Sequence, residues 1–215
     1  MFRIFDTETA SLSGGVVEIA WINIDKDLNV LSQFRSFVNP ERPIELAASG
    51  VHGIYDDDIQ DAPKLADLLP EWGVTPVKVI GHNASFDVRM VHRTLPVEGN
   101  LCTLALSRRL LPEAENHKLQ TIRQYLGLPE NTAHSALGDV ETTLGVLRHL
   151  VDLSGVDLTT LYDRAQEPKM LTKMPFGIHK GKSIKNVPLD YREWLLAQTE
   201  LPRDLKYTLE KLRVL

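Results

Sequence analysis

One cysteine, Cys102, stands in 215 residues, so no disulfide can form within the chain, and the composition suits a reducing compartment. The sequence also has no run of about 18 apolar residues, the length a membrane-spanning helix needs, and its first residues lack a basic-then-apolar leader pattern. The expectation is a cytoplasmic protein with no membrane partner. An excess of positive charge is missing too. Against 29 Asp and Glu there are 24 Lys and Arg, a formal net charge of −5, which argues against a chain that binds nucleic acid simply by being basic. Internal repeats and low-complexity tracts are absent. What remains, 43% hydrophobic and 25% charged residues, is ordinary for a globular protein with room for one full domain and a small appendage.

The charge is unevenly spread. Residues 1–167 hold 14 Lys and Arg against 24 Asp and Glu, whereas residues 168–215 hold 10 against 5. This divides the chain into an acidic domain, 1–167, and a small basic C-terminal module, 168–215, with Pro168 as linker. A basic tail on an acidic chain hints at a polyanion partner, with a solvated basic surface as the plainer alternative.

Residues 2–9, Phe-Arg-Ile-Phe-Asp-Thr-Glu-Thr, form an apolar run that ends in two carboxylates one residue apart. Side chains alternate along a strand, so Asp6 and Glu8 point to one face. Two anions held together at the end of a buried strand repel each other unless a cation, a proton or a hydrogen-bond network offsets them. A divalent metal is the economical answer, although an isolated Asp-x-Glu is more often a solvated strand end.

Residues 16–25 and 31–38 read as two further strands of an antiparallel meander, which Pro40 and Pro43 terminate. Helical spacing follows: a short helix or turn near 46–50, an acidic helix start at Asp56, Asp57 and Asp58, and a helix over about 62–72. A short buried strand at 77–81 leads into a helix running from about 83 to 94, and a strand at 100–102 into helices over 103–111 and 119–126. Ser135 caps a long helix through 151, and another spans 157–166. This order indicates an α/β layered domain with a mixed sheet. In the module, residues 174–183 form a glycine-punctuated basic loop or hairpin, followed by helices near 189–198 and 203–214.

Asn83 and Asp87, four apart, would share a helix face at the carboxyl end of the strand 77–81, where open α/β sheets place ligands. His134 falls in the loop before the long helix and Asp139 in that helix's second turn. Singly, Asn83 reads as a cap, His134 as a loop residue and Asp139 as a surface charge.

Together, Asp6-x-Glu8, Asn83-x-x-x-Asp87 and His134-x-x-x-x-Asp139 resemble the three exonuclease motifs of the DEDD superfamily. The histidine five residues before the last aspartate resembles its DEDDh branch. The resemblance covers about residues 1–151 and implies an RNase H-like α/β fold: a mixed sheet, antiparallel meander plus parallel strands, flanked by helices. It also implies a hydrolase that removes 5′-mononucleotides from 3′ ends, with Asp6, Glu8, Asp87, His134 and Asp139 catalytic and the four carboxylates as metal ligands. Phosphodiester hydrolysis needs an attacking hydroxide, shielding of charge on the phosphate and stabilisation of the leaving oxygen. Two Mg²⁺ ions about 3.5–4 Å apart supply all three, and Mn²⁺ is expected to substitute. By resemblance Asp6 bridges both ions, Glu8 and Asp139 hold the one beside the attacking water, and Asp87 supports the other. His134 takes the water's proton, a role that suits an imidazole side chain.

The resemblance extends to substrate contacts. Thr9, Leu12, His52, Asn83 and Phe86 are expected beside the terminal nucleotides, Leu12 as a wedge between bases, with loop packing of Leu12 and a structural role for His52 as alternatives. In the module, the segment from Gly177 to Ser183 has three residues where a P-loop needs four before its Gly-Lys pair, which excludes that motif. The segment from Pro175-Phe176-Gly177 through Lys180-Gly181-Lys182, followed by Val187-Pro188 and Tyr191-x-x-Trp194-Leu195, instead resembles a small C-terminal module of some nucleic-acid enzymes, with Ile178 replacing the lysine of the usual Phe-Gly-Lys start. Lys180, Lys182 and Lys185 are expected to track phosphates, and Phe176 to stack a base or pack the module's core. The expected partner is DNA at single-stranded or frayed 3′ ends. An RNA exonuclease of the same branch and a non-catalytic nucleic-acid-binding protein are the alternatives.

Overall fold

In the computed structural model, which describes residues 1–132, 134–198 and 200–213, the opening apolar run becomes the middle strand of a sheet. The strands are β1 (Phe2–Ser11), β2 (Gly14–Ile24), β3 (Val30–Phe37), β4 (Val77–Gly81) and β5 (Val97–Cys102), arranged β3-β2-β1-β4-β5. The first three pair antiparallel, while β1 with β4 and β4 with β5 are parallel, so the sheet is mixed. The helices are α1 (Leu46–His52), α2 (Asp56–Ile59), α3 (Leu69–Trp72), α4 (Ser85–Val91), α5 (Thr103–Leu110), α6 (Leu119–Tyr125), α7 (Ala136–Ser154), α8 (Leu158–Gln166), α9 (Leu189–Leu196) and α10 (Arg203–Arg213).

Alternation along β1 divides the core between the two faces of the sheet. Phe2 and Ile4 join Ala20, Ile22 and Ile24 of β2 in packing against Ala136, Val140, Leu144 and Leu147 of α7. Phe5 joins Ile19 and Trp21 on the other face, with Trp72, Val91 and Leu95. Arg3 shares that second face. Its guanidinium lies over the rings of Trp21 and Trp72, 4.8 and 4.4 Å from their centroids, and donates to Asn23 Oδ1 and the Trp72 carbonyl. Burial lowers its pKa to about 10.

The meander and the long helix form as the sequence leads one to expect, and α7 ends at Gly155, whose φ of 67° is the left-handed C-cap conformation glycine adopts freely. Three expectations change. The helix foreseen over 62–72 is instead a 3₁₀ turn, Leu65–Leu68, followed by α3. Pro63 and Pro70 explain this, because proline fits only the first turn of a helix, and Pro70 starts α3 anew. The helix foreseen over 83–94 shrinks to Ser85–Val91, and β5 begins at Val97 rather than at residue 100.

The chain divides into two compact units, Met1–Gln166 and Glu167–Leu215. The second has a core of Met174, Ile184, Val187, Leu195, Leu205 and Leu209. Its loop from 173 to 183 is closed by one antiparallel bridge, Lys173 with Ser183, and by bonds between Met174 and residues 181 and 182. Residue 214, the last of the helix expected over 203–214, lies outside the described residues. No helix among the described residues is long and apolar enough to cross a membrane.

Candidate active site

Beyond Ile4, the α7 face of β1 stops being apolar and presents Asp6 and then Glu8. Antiparallel pairing sets Asp6 opposite Ala20 and Glu8 opposite Glu18, before the register shifts between Glu8 and Thr9. Three carboxylates therefore share one end of two adjacent strands. A fourth comes from α7: with the helix starting at Ala136, Asp139 falls in its first turn, not the second. Ser135 caps that helix by accepting from the Gly138 N–H at 3.5 Å.

His134 precedes the cap with a left-handed φ of 59° and is exposed. The segment ahead of it lies close against α7. A Cβ on Gly138 would come within 2.3 Å of the Thr132 carbonyl, and the Asn131 amide donates to the Gly138 carbonyl and to Thr142 Oγ1. One ligand atom from each of Glu8, His134 and Asp139 lies within 4.8 Å of the others.

Asp87 enters from the first turn of α4 and is 3% exposed. Its Oδ1 accepts from the Thr7 N–H at 3.1 Å and from Thr7 Oγ1 at 2.7 Å. Asn83 does not share a helix face with it. Asn83 has a φ of 74° and precedes the helix, which begins only at Ser85, so the four-residue spacing has no helical meaning here.

The electrostatics of this cluster follow from burial and like charge. Burial first, then repulsion from Asp87, Asp139, Glu8 and Glu18, holds the Asp6 carboxyl well above the usual range. Glu8 is pushed up to about 8 by burial and by Asp139, Glu18 and Asp87. Burial raises Asp87 to about 7 although the Thr7 hydrogen bonds pull the other way. Asp139 is raised by burial, opposed by its bond from Gln120 and by the neighbouring His134. Among the described residues no Lys or Arg forms a salt bridge with these four groups. Hard carboxylate oxygens, crowded and without a Lys or Arg partner, fit a divalent metal.

A stability prediction follows from the direction of these shifts. The folded cluster holds protons that the unfolded chain releases near pH 4. Without metal, the contribution to stability is therefore full at low pH and is lost as pH rises through about 7 and about 8, the values for Asp87 and Glu8. Thermal melts in chelator should fall between pH 5.5 and pH 8.5, and a divalent cation should restore the high-pH melt by roughly 5 °C or more. A chelator-to-metal difference that stays constant across that range would refute the assignment of the shifts to this cluster.

Sequence reasoning missed the residues that hold the cluster in place. Glu18, 1% exposed, accepts from the Ala136 N–H at 2.9 Å through Oε2 and pairs through Oε1 with Arg35 of β3. The Gln120 amide donates to Asp139 Oδ1 at 3.1 Å, and Arg123 in turn donates to Gln120 Oε1 at 2.7 Å.

The expected substrate contacts come from several elements. Leu12, 85% exposed, projects from the β1–β2 turn. Thr9 is half-buried, and its carbonyl meets His52 Nε2 at 3.3 Å, while His52 Nδ1 accepts from the Ile54 N–H. Both ring nitrogens of His52 are thus engaged within the chain, and burial lowers its pKa. Phe86 is half-buried with the Arg89 guanidinium 5.4 Å from its ring centroid. Lys180 and Lys182 are exposed residues of the second unit.

Comparison with known proteins identifies the family. A family model described as Exonuclease matches residues 4–147. Exodeoxyribonuclease 10 of Escherichia coli strain K12 is 32% identical over 227 residues, covering 98% of this chain and 99% of the relative. Among solved structures, exonuclease X in complex with 5′-overhanging duplex DNA superposes with a TM-score of 0.65 at 32% identity, covering 76% of this chain and 98% of that one. E. coli exonuclease I in complex with a dT13 oligonucleotide reaches a TM-score of 0.62 at 18% identity, over 76% of this chain and 42% of that one, a likeness of fold.

Proposed function

The chain belongs to the exonuclease family, and on that premise we propose that it hydrolyses the terminal phosphodiester bond at DNA 3′ ends, releasing 5′-mononucleotides. The observation that carries the reading is the convergence of Asp6, Glu8, Asp87 and Asp139 with His134 at one end of the sheet, where among the described residues no Lys or Arg pairs with them. The DNA substrate is supported by the relative named exodeoxyribonuclease and by the DNA complex of exonuclease X.

Asp6, Glu8, Asp87 and Asp139 would hold two Mg²⁺, for which Mn²⁺ would substitute. When bound, such ions lower the pKa of water and neutralise charge on the phosphate and the leaving 3′-oxygen. The chain's own residues supply the rest. His134, exposed at the mouth of the cluster and within 4.8 Å of Glu8 and Asp139, accepts the proton of the attacking water. Thr7 occupies one oxygen of Asp87 and Gln120 one oxygen of Asp139, which fixes the direction of the other oxygen of each. Leu12, exposed on the β1–β2 turn, would part the terminal base from its neighbour, with Thr9, His52, Asn83 and Phe86 as further substrate contacts. The single free cysteine, Cys102, suits a cytoplasmic site of action.

The test is a degradation assay with 3′- and 5′-labelled single-stranded DNA, 5′-overhanging duplex DNA and RNA, each with Mg²⁺, Mn²⁺ or chelator. The expected result is early release of the 3′ label as a mononucleotide, no release in chelator, and DNA consumed faster than RNA. Early release of the 5′ label or metal-independent cleavage would overturn the mechanism, and faster loss of RNA would overturn the substrate.

A further inference from the structure

The second unit, Glu167–Leu215, lies beyond the region that the exonuclease family model matches, and its surface has chemistry of its own. Tyr191 is half-buried against its core of Met174, Ile184, Val187, Leu195, Leu205 and Leu209, while two further rings stand at the surface: Phe176 is 38% exposed and Trp194 55%. Helix α9 turns Leu195 inward and Trp194 outward. One turn back, Tyr191 lies with its ring 5.4 Å from that of Trp194 and tilted by 34°.

The loop preceding α9 continues the aromatic run. His179 meets Tyr191 edge to face, with ring centroids 4.7 Å apart. Gly177, at a φ of 74°, lets the loop close on Tyr191, where a Cβ would come within 2.6 Å of the hydroxyl. On this loop the Lys180 N–H donates to the Gly177 carbonyl and the Lys182 N–H to the His179 carbonyl, which fixes the backbone of two exposed lysines that follow His179 in sequence. Among the described residues neither lysine forms a salt bridge.

We propose that this surface binds single-stranded nucleic acid, stacking bases on Trp194 and Tyr191 and taking phosphates on Lys180 and Lys182. Only the choice of polyanion rests on the exonuclease reading. The charge of residues 168–215, 10 Lys and Arg against 5 Asp and Glu, is complementary to a phosphate backbone. An acidic peptide would satisfy the lysines but leave the exposed rings unused. A duplex hides the faces of its bases, whereas an unpaired strand offers both base faces and phosphates. The second unit thereby holds the strand from which nucleotides are removed, and raises its effective concentration at the chain.

The experiment uses the full chain in chelator, so that nothing is cleaved, with an oligothymidylate of about 15 nucleotides as probe. Trp21 and Trp72 are 2% and 1% exposed, so acrylamide-accessible tryptophan emission reports Trp194, and binding should quench it. Trp194→Ala should weaken binding roughly 5- to 150-fold, and Trp194→Phe should restore most of it. Lys180→Ala with Lys182→Ala should lower the slope of log affinity against log salt by about 1.4. Wild-type affinity in Trp194→Ala overturns the proposal, as does a blunt duplex or polyglutamate that binds as tightly as the single strand. Failure of the nuclease reading would show separately: a chain that cleaves nothing can still bind by this surface. Conversely, normal binding by Trp194→Ala in a chain that still releases 3′ nucleotides sinks this inference alone.

Discussion

Asp6→Asn is expected to leave a folded protein that no longer releases nucleotides in Mg²⁺. Asp6 stands where the other carboxylates of the site converge, and its pKa feels Asp87, Asp139, Glu8 and Glu18 at once. Divalent ions are worth several kcal/mol of transition-state charge stabilisation, and about 1.4 kcal/mol is a factor of ten in rate. Losing the central carboxylate should therefore lower the turnover rate by roughly a thousandfold or more. Stability should move the other way. An isosteric amide removes one anion from a cluster already crowded with them, so in chelator the variant should melt above the parent at pH 8.5. The advantage should vanish at pH 5.5, where the parent's cluster already carries its protons. The stabilisation by a divalent cation expected of the parent should be largely absent in the variant. Turnover within about tenfold of the parent would overturn the assignment of Asp6 as a ligand, and a lower melt in chelator at pH 8.5 would show that crowding is not what raises its pKa.

The difference between what was and was not legible in the sequence lies in whether the relevant partner is near in the chain. Asp6 and Glu8 share a face because strands alternate, and Asp139 sits at the start of α7 because Ser135 caps it; both facts are local. Glu18 has no such mark. Within Val-Val-Glu-Ile-Ala it reads as any polar residue of a strand, and only the antiparallel register sets it opposite Glu8. Gln120, itself held by Arg123, reaches Asp139 from another helix, a relation that no spacing encodes.

Two local rules also gave way. The i, i+4 rule presumed helical backbone at Asn83, which the chain leaves for a left-handed φ. Apolar spacing over 62–72 looked helical, but Pro63 and Pro70 broke it. Arg3 is a further case. A basic residue beside buried strand positions would be expected to reach solvent, yet two tryptophans distant in sequence enclose it, and Asn23 and the Trp72 carbonyl satisfy it.

Glu18→Ala is expected to damage turnover without damaging substrate affinity, and Glu18→Gln to rescue it. The carboxylate of Glu18 is already occupied on both oxygens, by Arg35 and by the Ala136 N–H, so its part is to position rather than to ligate. What it positions is the start of α7. Ala136 is fully buried, and its N–H is one of the helix's first, which no intrahelical carbonyl can satisfy. Removing the acceptor strands that donor at a cost of about 1–3 kcal/mol and frees the helix start to shift, with His134 before it and Asp139 within its first turn. Supporting hydrogen bonds of this kind typically carry 10- to 100-fold effects, so kcat should fall by about that factor while KM for an oligonucleotide stays within about threefold. Glutamine keeps an oxygen for the Ala136 N–H and should return most of the lost rate. Arg35→Ala isolates the charge instead. It leaves Glu18 buried as an uncompensated anion near Asp6, Glu8 and Asp139, which already feel it, and should drive their pKa values further up and move the rise of activity to higher pH. Wild-type kcat in Glu18→Ala would remove Glu18 from the machinery. Equal damage in Glu18→Gln and Glu18→Ala would mean that its charge, rather than the bond to α7, is what the site requires.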